Sequence, residues 1–115
     1  MLNTKILGEK YENMAIHYLK QQKYKILARN FLCPAGEIDI VAYDKTNKYI
    51  AFVEVKYRAT NAFGRPLEAI TPEKQRKIKT ASQVYLKLNG WLDENYRFDA
   101  IEIIDDELRH IVNAF

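Results

Sequence analysis

The chain has 115 residues, 48% of them apolar and 29% charged, with 18 Lys and Arg against 15 Asp and Glu. That supports one domain over 1–115 with a real core, and it excludes a disordered chain. The single cysteine, Cys33, excludes an internal disulfide and argues against a thiolate metal site, and the longest apolar run, 49–53, falls far short of the ~20 residues of a membrane span.

The first element read along the chain is an amphipathic helix over 4–22. Leu7, Tyr11, Met14 and Tyr18 recur at steps of 4, 3 and 4, Ala15 and Leu19 widen the stripe, and Thr4 stands as N-cap. The opening MLNTKILGEKYEN has no apolar signal region, so the expectation is a soluble cytoplasmic protein without membrane contact. Residues 24–32, rich in Tyr, Ile, Leu and Phe, predict a strand that Pro34-Ala35-Gly36 interrupts. Strands over 37–43 and 49–58 flank a polar turn at 44–48 and form a hairpin. A loop at 59–70 carries Gly64 and Pro66. Thr71-Pro72-Glu73 then starts a helix, with Thr as N-cap, Pro at the first position and an acid in the first turn. It runs to about Leu88, turns Ile78, Ala81, Ser82 and Tyr85 inward, and stops at Asn89-Gly90. Strands over 96–104 and 108–115, with Asp105-Asp106 turning between them, complete the order αβββαββ. The fold class is α/β, a mixed central sheet flanked by helices.

Chemistry concentrates on the hairpin. In Gly36-Glu37-Ile38-Asp39-Ile40-Val41, alternation sets Glu37 and Asp39 on one face, Ile38 and Ile40 on the other. In Phe52-Val53-Glu54-Val55-Lys56, Glu54 and Lys56 share a face. Asp39 and Glu54 can then converge across adjacent strands. Two neighbouring carboxylates repel, and a divalent cation relieves the repulsion; Mg²⁺ (or Mn²⁺) takes oxygen ligands, typically one or two carboxylates plus water and phosphate. Lys56 aimed at the same spot can orient an attacking water or stabilise charge on a phosphate. Acid, acid, lysine and metal together describe phosphodiester hydrolysis. Register supplies a test: a hairpin symmetric about Thr46 sets Asp39 opposite Val53, so the site needs an even-length turn or a bulge that brings residue 52 or 54 there. A plainer reading stays open, in which Glu54 and Lys56 are a surface pair and Asp39 a strand-end polar residue.

Charge is uneven. Residues 56–79 hold seven bases (Lys56, Arg58, Arg65, Lys74, Arg76, Lys77, Lys79) and two acids, a balance of +5; residues 93–109 hold seven acids and two bases, a balance of −5. The basic segment can meet the phosphates of a nucleic acid, or it can simply be a solvated helix face. His17 on the polar side of the first helix and His110 in the last strand have no ligand partner in spacing and read as surface or packing residues, as does Cys33. Asp99 reads as a partner of Arg97 or a sheet neighbour. Tyr57, between Lys56 and Arg58, could stack a base.

Asp39 and Glu54-Val55-Lys56 on consecutive strands after an N-terminal helix resemble the PD-(D/E)xK nuclease superfamily, the restriction-endonuclease-like fold, and within it the archaeal Holliday-junction resolvases. The chain resembles more closely the YraN family of small bacterial proteins, through Gly8, Glu12, Ala15, Tyr18-Leu19, Tyr24, 26–30, Gly36-Glu37-Ile38-Asp39, 52–56, Arg58, Phe63-Gly64, Pro66, Glu68-Ala69, Lys74-Gln75-Arg76, 97–99 and 113–115. The superfamily's proline before the first aspartate is absent; Ile38 stands there. The resemblance implies Asp39 and Glu54 as metal ligands, Lys56 as catalytic lysine, Glu12 as a helix carboxylate brought to the metal, and Gln75 as a polar group facing the site. Arg58, Lys74, Arg76, Lys77 and Lys79 are then the bases that hold flanking phosphates. The partner is nucleic acid, DNA rather than RNA, in a structured or branched form. Cutting both strands implies a symmetric homodimer. Two other functions fit the sequence: a nuclease-like fold that binds nucleic acid without cutting, and an interaction module whose acidic 93–109 segment meets the basic segment of another copy.

Overall fold

The computed structural model describes residues 4–58 and 70–115, without the side chains of Thr4 and Arg58. The N-cap reading of Thr4 and nearly all of the expected loop at 59–70 therefore lie outside the described residues. The elements are α1 (Thr4–Gln21), β1 (Tyr24–Cys33), β2 (Gly36–Asp44), β3 (Tyr49–Arg58), α2 (Pro72–Asn89), β4 (Tyr96–Ile104) and β5 (Glu107–Ile111). Their order is the expected αβββαββ.

The five strands form one sheet in the order β1-β2-β3-β4-β5. Only β3 and β4 pair in parallel; the other neighbours are antiparallel. Parallel neighbours need a long crossover, and α2 lies within it. The helices cover opposite faces. Ala15, Ile16 and Leu19 of α1 pack with Ile40, Ala42, Ala51, Val53, Ile101 and Ile103. On the other face Ile78, Ala81, Tyr85 and Leu86 of α2 pack with Ile38, Val41, Ile50, Phe52 and Phe98. Full burial stabilises each large apolar side chain by roughly 1.5–3 kcal/mol, so Leu19, Phe52 and Ile101, all 0% exposed, are major contributors.

The boundaries follow local chemistry. Thr71 caps α2 by accepting a hydrogen bond from the Lys74 N–H at 3.2 Å, and Gly90 ends it in the left-handed conformation at φ 70°. The last strand is shorter than expected: β5 stops at Ile111, Asn113 turns at φ 54°, and the Ala114 N–H donates to the Phe98 carbonyl while Phe115 stacks on the Phe98 ring.

The register has the offset that an Asp39–Glu54 site needs. Four residues, 45–48, close the β2–β3 hairpin, and the paired positions run from Asp44↔Tyr49 to Ile40↔Val53. One step further on the same count, Asp39 faces Glu54. Beyond that point β2 stays with β1 while β3 follows β4 to Arg58, so a wedge opens between β2 and β3. One expectation fails here. Ile38 and Ile40 do not share a face, since Ile38 packs on the α2 side and Ile40 on the α1 side. Asn30, between the pairs Arg29↔Ile40 and Phe31↔Ile38, takes a left-handed φ of 49°, while the register shift between β1 and β2 lies earlier, between Ile26 and Ala28.

Candidate metal centre

The wedge holds a pocket of ≈ 170 Å³ lined by Gly8, Glu12, Asp39, Glu54, Val55, Tyr57 and Lys74. Because the strands part here, α1 delivers Glu12 from one face of the sheet and α2 delivers Lys74 from the other. Glu54 is 3% exposed, and its Oε1 lies 2.8 Å from the Lys74 Nζ. The Asp39 Oδ2 accepts a hydrogen bond from the Val55 N–H at 2.9 Å. Two carboxylate oxygens in the pocket, Glu12 Oε1 and Glu54 Oε2, are buried without a hydrogen-bond partner among the described residues. Arg29 approaches Glu12 Oε1 only to 3.8 Å and donates its hydrogen bond to Asn13 instead.

Electrostatics reflect the crowding. Burial, and then the charge of Glu54, push the Asp39 carboxyl up to about 7, against the opposing pull of the Val55 N–H and the Lys74 ammonium. Burial and the charge of Asp39 raise Glu12 as well. Burial alone would lower Lys74, but contact with Glu54 outweighs it and holds the ammonium above its ordinary value.

The donor set fits a hard cation. Buried, unpartnered carboxylate oxygens are costly unless something positive meets them. Among the described residues no three His, Cys, Asp or Glu side chains, Glu12, Asp39 and Glu54 included, are drawn together as a ready cage. Mg²⁺ needs less from the protein, because it retains water and is held through one or two carboxylates.

The other sequence candidates separate. Lys56 falls on the Glu54 side of β3 by alternation, but it makes no ion pair or hydrogen bond among the described residues and does not line the pocket. Gln75 points elsewhere: its Nε2 donates to the Ile70 carbonyl at 2.8 Å. It lines a second groove of ≈ 490 Å³ with Pro72, Arg76, Lys79, Thr80 and Gln83. Lys77 lies on another side of α2, against Gly36, and pairs with Glu73 at 3.4 Å. The α2 bases therefore divide, with Lys74 in the pocket, Arg76 and Lys79 in the groove and Lys77 apart from both. The Arg58 side chain lies outside the described set. Tyr57 stacks on Tyr11 with ring centroids 4.4 Å apart and forms a wall of the pocket.

Sequence reasoning placed Lys74 among phosphate-holding bases and missed its hold on Glu54. One signal was present: a lysine in the first turn of a helix opposes the helix dipole and calls for a compensating acid. It also missed the reach of the network around Arg97. That guanidinium donates to Asp99 (Nε to Oδ1, 3.0 Å), Asp44 (Nη1 to Oδ2, 3.0 Å) and the Tyr24 hydroxyl (2.6 Å). His110 Nε2 lies 2.8 Å from Asp99 Oδ2, and the Tyr18 hydroxyl lies 3.1 Å from His110 Nδ1. His110 is thus a packing residue with full polar partners, while His17 is exposed.

No helix among the described residues is long and apolar enough to cross a membrane. The profile of the uncharacterised protein family UPF0102 matches residues 11–103. A UPF0102 protein of Geobacter sulfurreducens is 47% identical over 98% of this chain and 91% of its own length. One from Lachnoclostridium phytofermentans is 46% identical over 99% and 96%. One from Caldanaerobacter subterraneus subsp. tengcongensis is 40% identical over 99% and 98%. With a match across most of its length and relatives this similar end to end, the chain belongs to the uncharacterised protein family UPF0102, the YraN-type family that its sequence resembles.

Proposed function

We propose that the protein is a divalent-metal-dependent nuclease that hydrolyses phosphodiester bonds in structured or branched DNA, acting in the cytoplasm. The observation that carries this reading is the pair of buried oxygens without a hydrogen-bond partner among the described residues, Glu12 Oε1 and Glu54 Oε2, in one pocket with Asp39. Asp39 and Glu54 would hold Mg²⁺ or Mn²⁺, with Glu12 facing the same pocket from α1. When bound, the ion supplies Lewis acidity to a phosphoryl oxygen and offsets its charge. Val55 fixes the Asp39 carboxylate in the pocket through its N–H. Lys56, on the Glu54 side of β3, orients the attacking water and stabilises charge on the phosphate. Water adds to phosphorus and gives up a proton to solvent, one P–O ester bond breaks, and the leaving oxygen takes a proton from solvent. Arg76 and Lys79 hold flanking phosphates along their groove.

The test is incubation with junctions, flaps and single strands in Mg²⁺ or Mn²⁺. Product is expected with metal and absent with chelator, and Asp39→Ala and Lys56→Ala should each lose about 10²-fold or more. Full activity in either variant overturns the mechanism. The position of the Arg76–Lys79 groove, separate from the carboxylates, favours one alternative, a nucleic-acid-binding protein that does not cut. Binding that survives both chelator and Asp39→Ala, with no product from any substrate, selects that alternative.

A further inference from the structure

We infer that Lys74 is a resident counter-ion, which neutralises Glu54 in the metal-free protein and yields it when a divalent cation binds, so that its ammonium becomes free to meet a phosphate of the substrate. The inference rests on the metal-centre reading above. Its first support is place: the Lys74 Nζ lies 2.8 Å from Glu54 Oε1, and the side chain lines the pocket itself rather than the helix surface. The second is cost. A buried carboxylate beside another must be neutralised in some way, and Lys74 is the base that pairs with Glu54 among the described residues. The third is mobility of the right kind. Lys74 is 48% exposed while Glu54 is 3% exposed, so the lysine can withdraw along a flexible stem while the carboxylate stays. A second cation at the same carboxylate would be repelled at short range through a partly dry pocket. Lys74 also stands in the first turn of α2, where a positive charge is unfavourable, so the helix does not account for its position. Lys56 has no such pairing among the described residues.

The experiment is Mn²⁺ titration of the full chain, read by electron paramagnetic resonance, for wild type, Asp39→Asn, Lys74→Met, Lys74→Arg and Lys56→Met. Lys74→Met should bind Mn²⁺ about tenfold more tightly than wild type, the size of one like-charge contact relieved at a half-exposed site. Lys74→Arg should stay close to wild type, and Lys56→Met should change little. With Mg²⁺, the Lys74 side-chain methylene next to the ammonium should shift in NMR spectra of wild type, a readout that needs neither cleavage nor a stable Lys74→Met variant. Wild type that binds Mn²⁺, with Lys74→Met equal or weaker and no Lys74 shift, overturns the counter-ion role alone. Wild type that binds no more Mn²⁺ than Asp39→Asn overturns the metal centre and the counter-ion role together.

Discussion

Two groups of acids sit inside the same sheet under opposite conditions. Asp44 and Asp99 are 2% and 0% exposed, and Arg97 bridges them. Asp44 also accepts from the N–H groups of Thr46 and Asn47, and Asp99 from the Asn113 N–H. Burial would raise both carboxyls. In Asp99 the hydrogen bond from His110 and the guanidinium outweigh it, in Asp44 the Asn47 donors and the guanidinium do, and both settle below the ordinary carboxylate range. Asp39 and Glu54 have one anchored oxygen each, Glu54 Oε2 has no hydrogen-bond partner among the described residues, and Asp39 is pushed upward. Acids with full partners hold a structure together, whereas acids held close with donors missing are maintained against their own repulsion, which suits a site that receives something.

The largest effect that would break this contrast is expected at Arg97. Arg97→Met takes from two buried carboxylates the guanidinium they share, and removing one partner of a buried ion pair typically costs about 3–5 kcal/mol. Urea unfolding checks this; a loss under about 1 kcal/mol would mean that the network is not structural.

Dependence on pH should differ in sign between the two groups. Asp39 in the folded chain titrates at about 7, above its ordinary value of 3.8, so the folded state binds the extra proton between those limits. Its contribution is therefore fully present at low pH and lost as pH rises toward 7. Asp44 and Asp99 are depressed, so they contribute above the ordinary carboxylate range and their contribution is lost as pH falls through it. Metal-free wild type should thus gain stability less steeply from pH 4 to 7 than Asp39→Asn, in melting curves recorded in chelator. The same proton competes with the cation, so Mn²⁺ affinity should climb with pH and level off above about 7. A flat affinity profile would contradict the position given to Asp39.

A smaller effect sharpens the structural side. Tyr18→Phe removes the hydroxyl that meets His110 Nδ1 at 3.1 Å and should cost about 1 kcal/mol, the net worth of one hydrogen bond. The smallest is at Lys56. Having no ion pair among the described residues, Lys56→Ala should leave stability within about 0.5 kcal/mol while it abolishes cleavage. A stability loss as large as that of Tyr18→Phe would recast Lys56 as a structural residue.

Much of this architecture is legible before any coordinates. Thr71-Pro72 and Asn89-Gly90 delimit α2 to within a residue, because caps and left-handed turns admit few residue types. The meeting of Asp39 and Glu54 follows from strand order once the turn is known to have four residues. Three features were not legible. The split of Ile38 from Ile40 across the two faces of the sheet is a departure that no periodicity announces. The end of β5 at Ile111 depends on Asn113, whose N–H is held by Asp99 from β4. The division of the α2 bases depends on the rotation of that helix over the sheet, which is a tertiary quantity: residues 74–79 form one basic run in sequence, and in space they face different surroundings.

The parting of β2 and β3 has a mechanical consequence. Helices on opposite faces of a sheet normally have a wall of backbone between them, but here Glu12 of α1 and Lys74 of α2 line one pocket through the gap. A cation seated there would act as a rivet through all three layers, so loading and emptying the pocket would tighten and loosen the grip of α1 on the sheet, which slowed amide exchange along that helix would register.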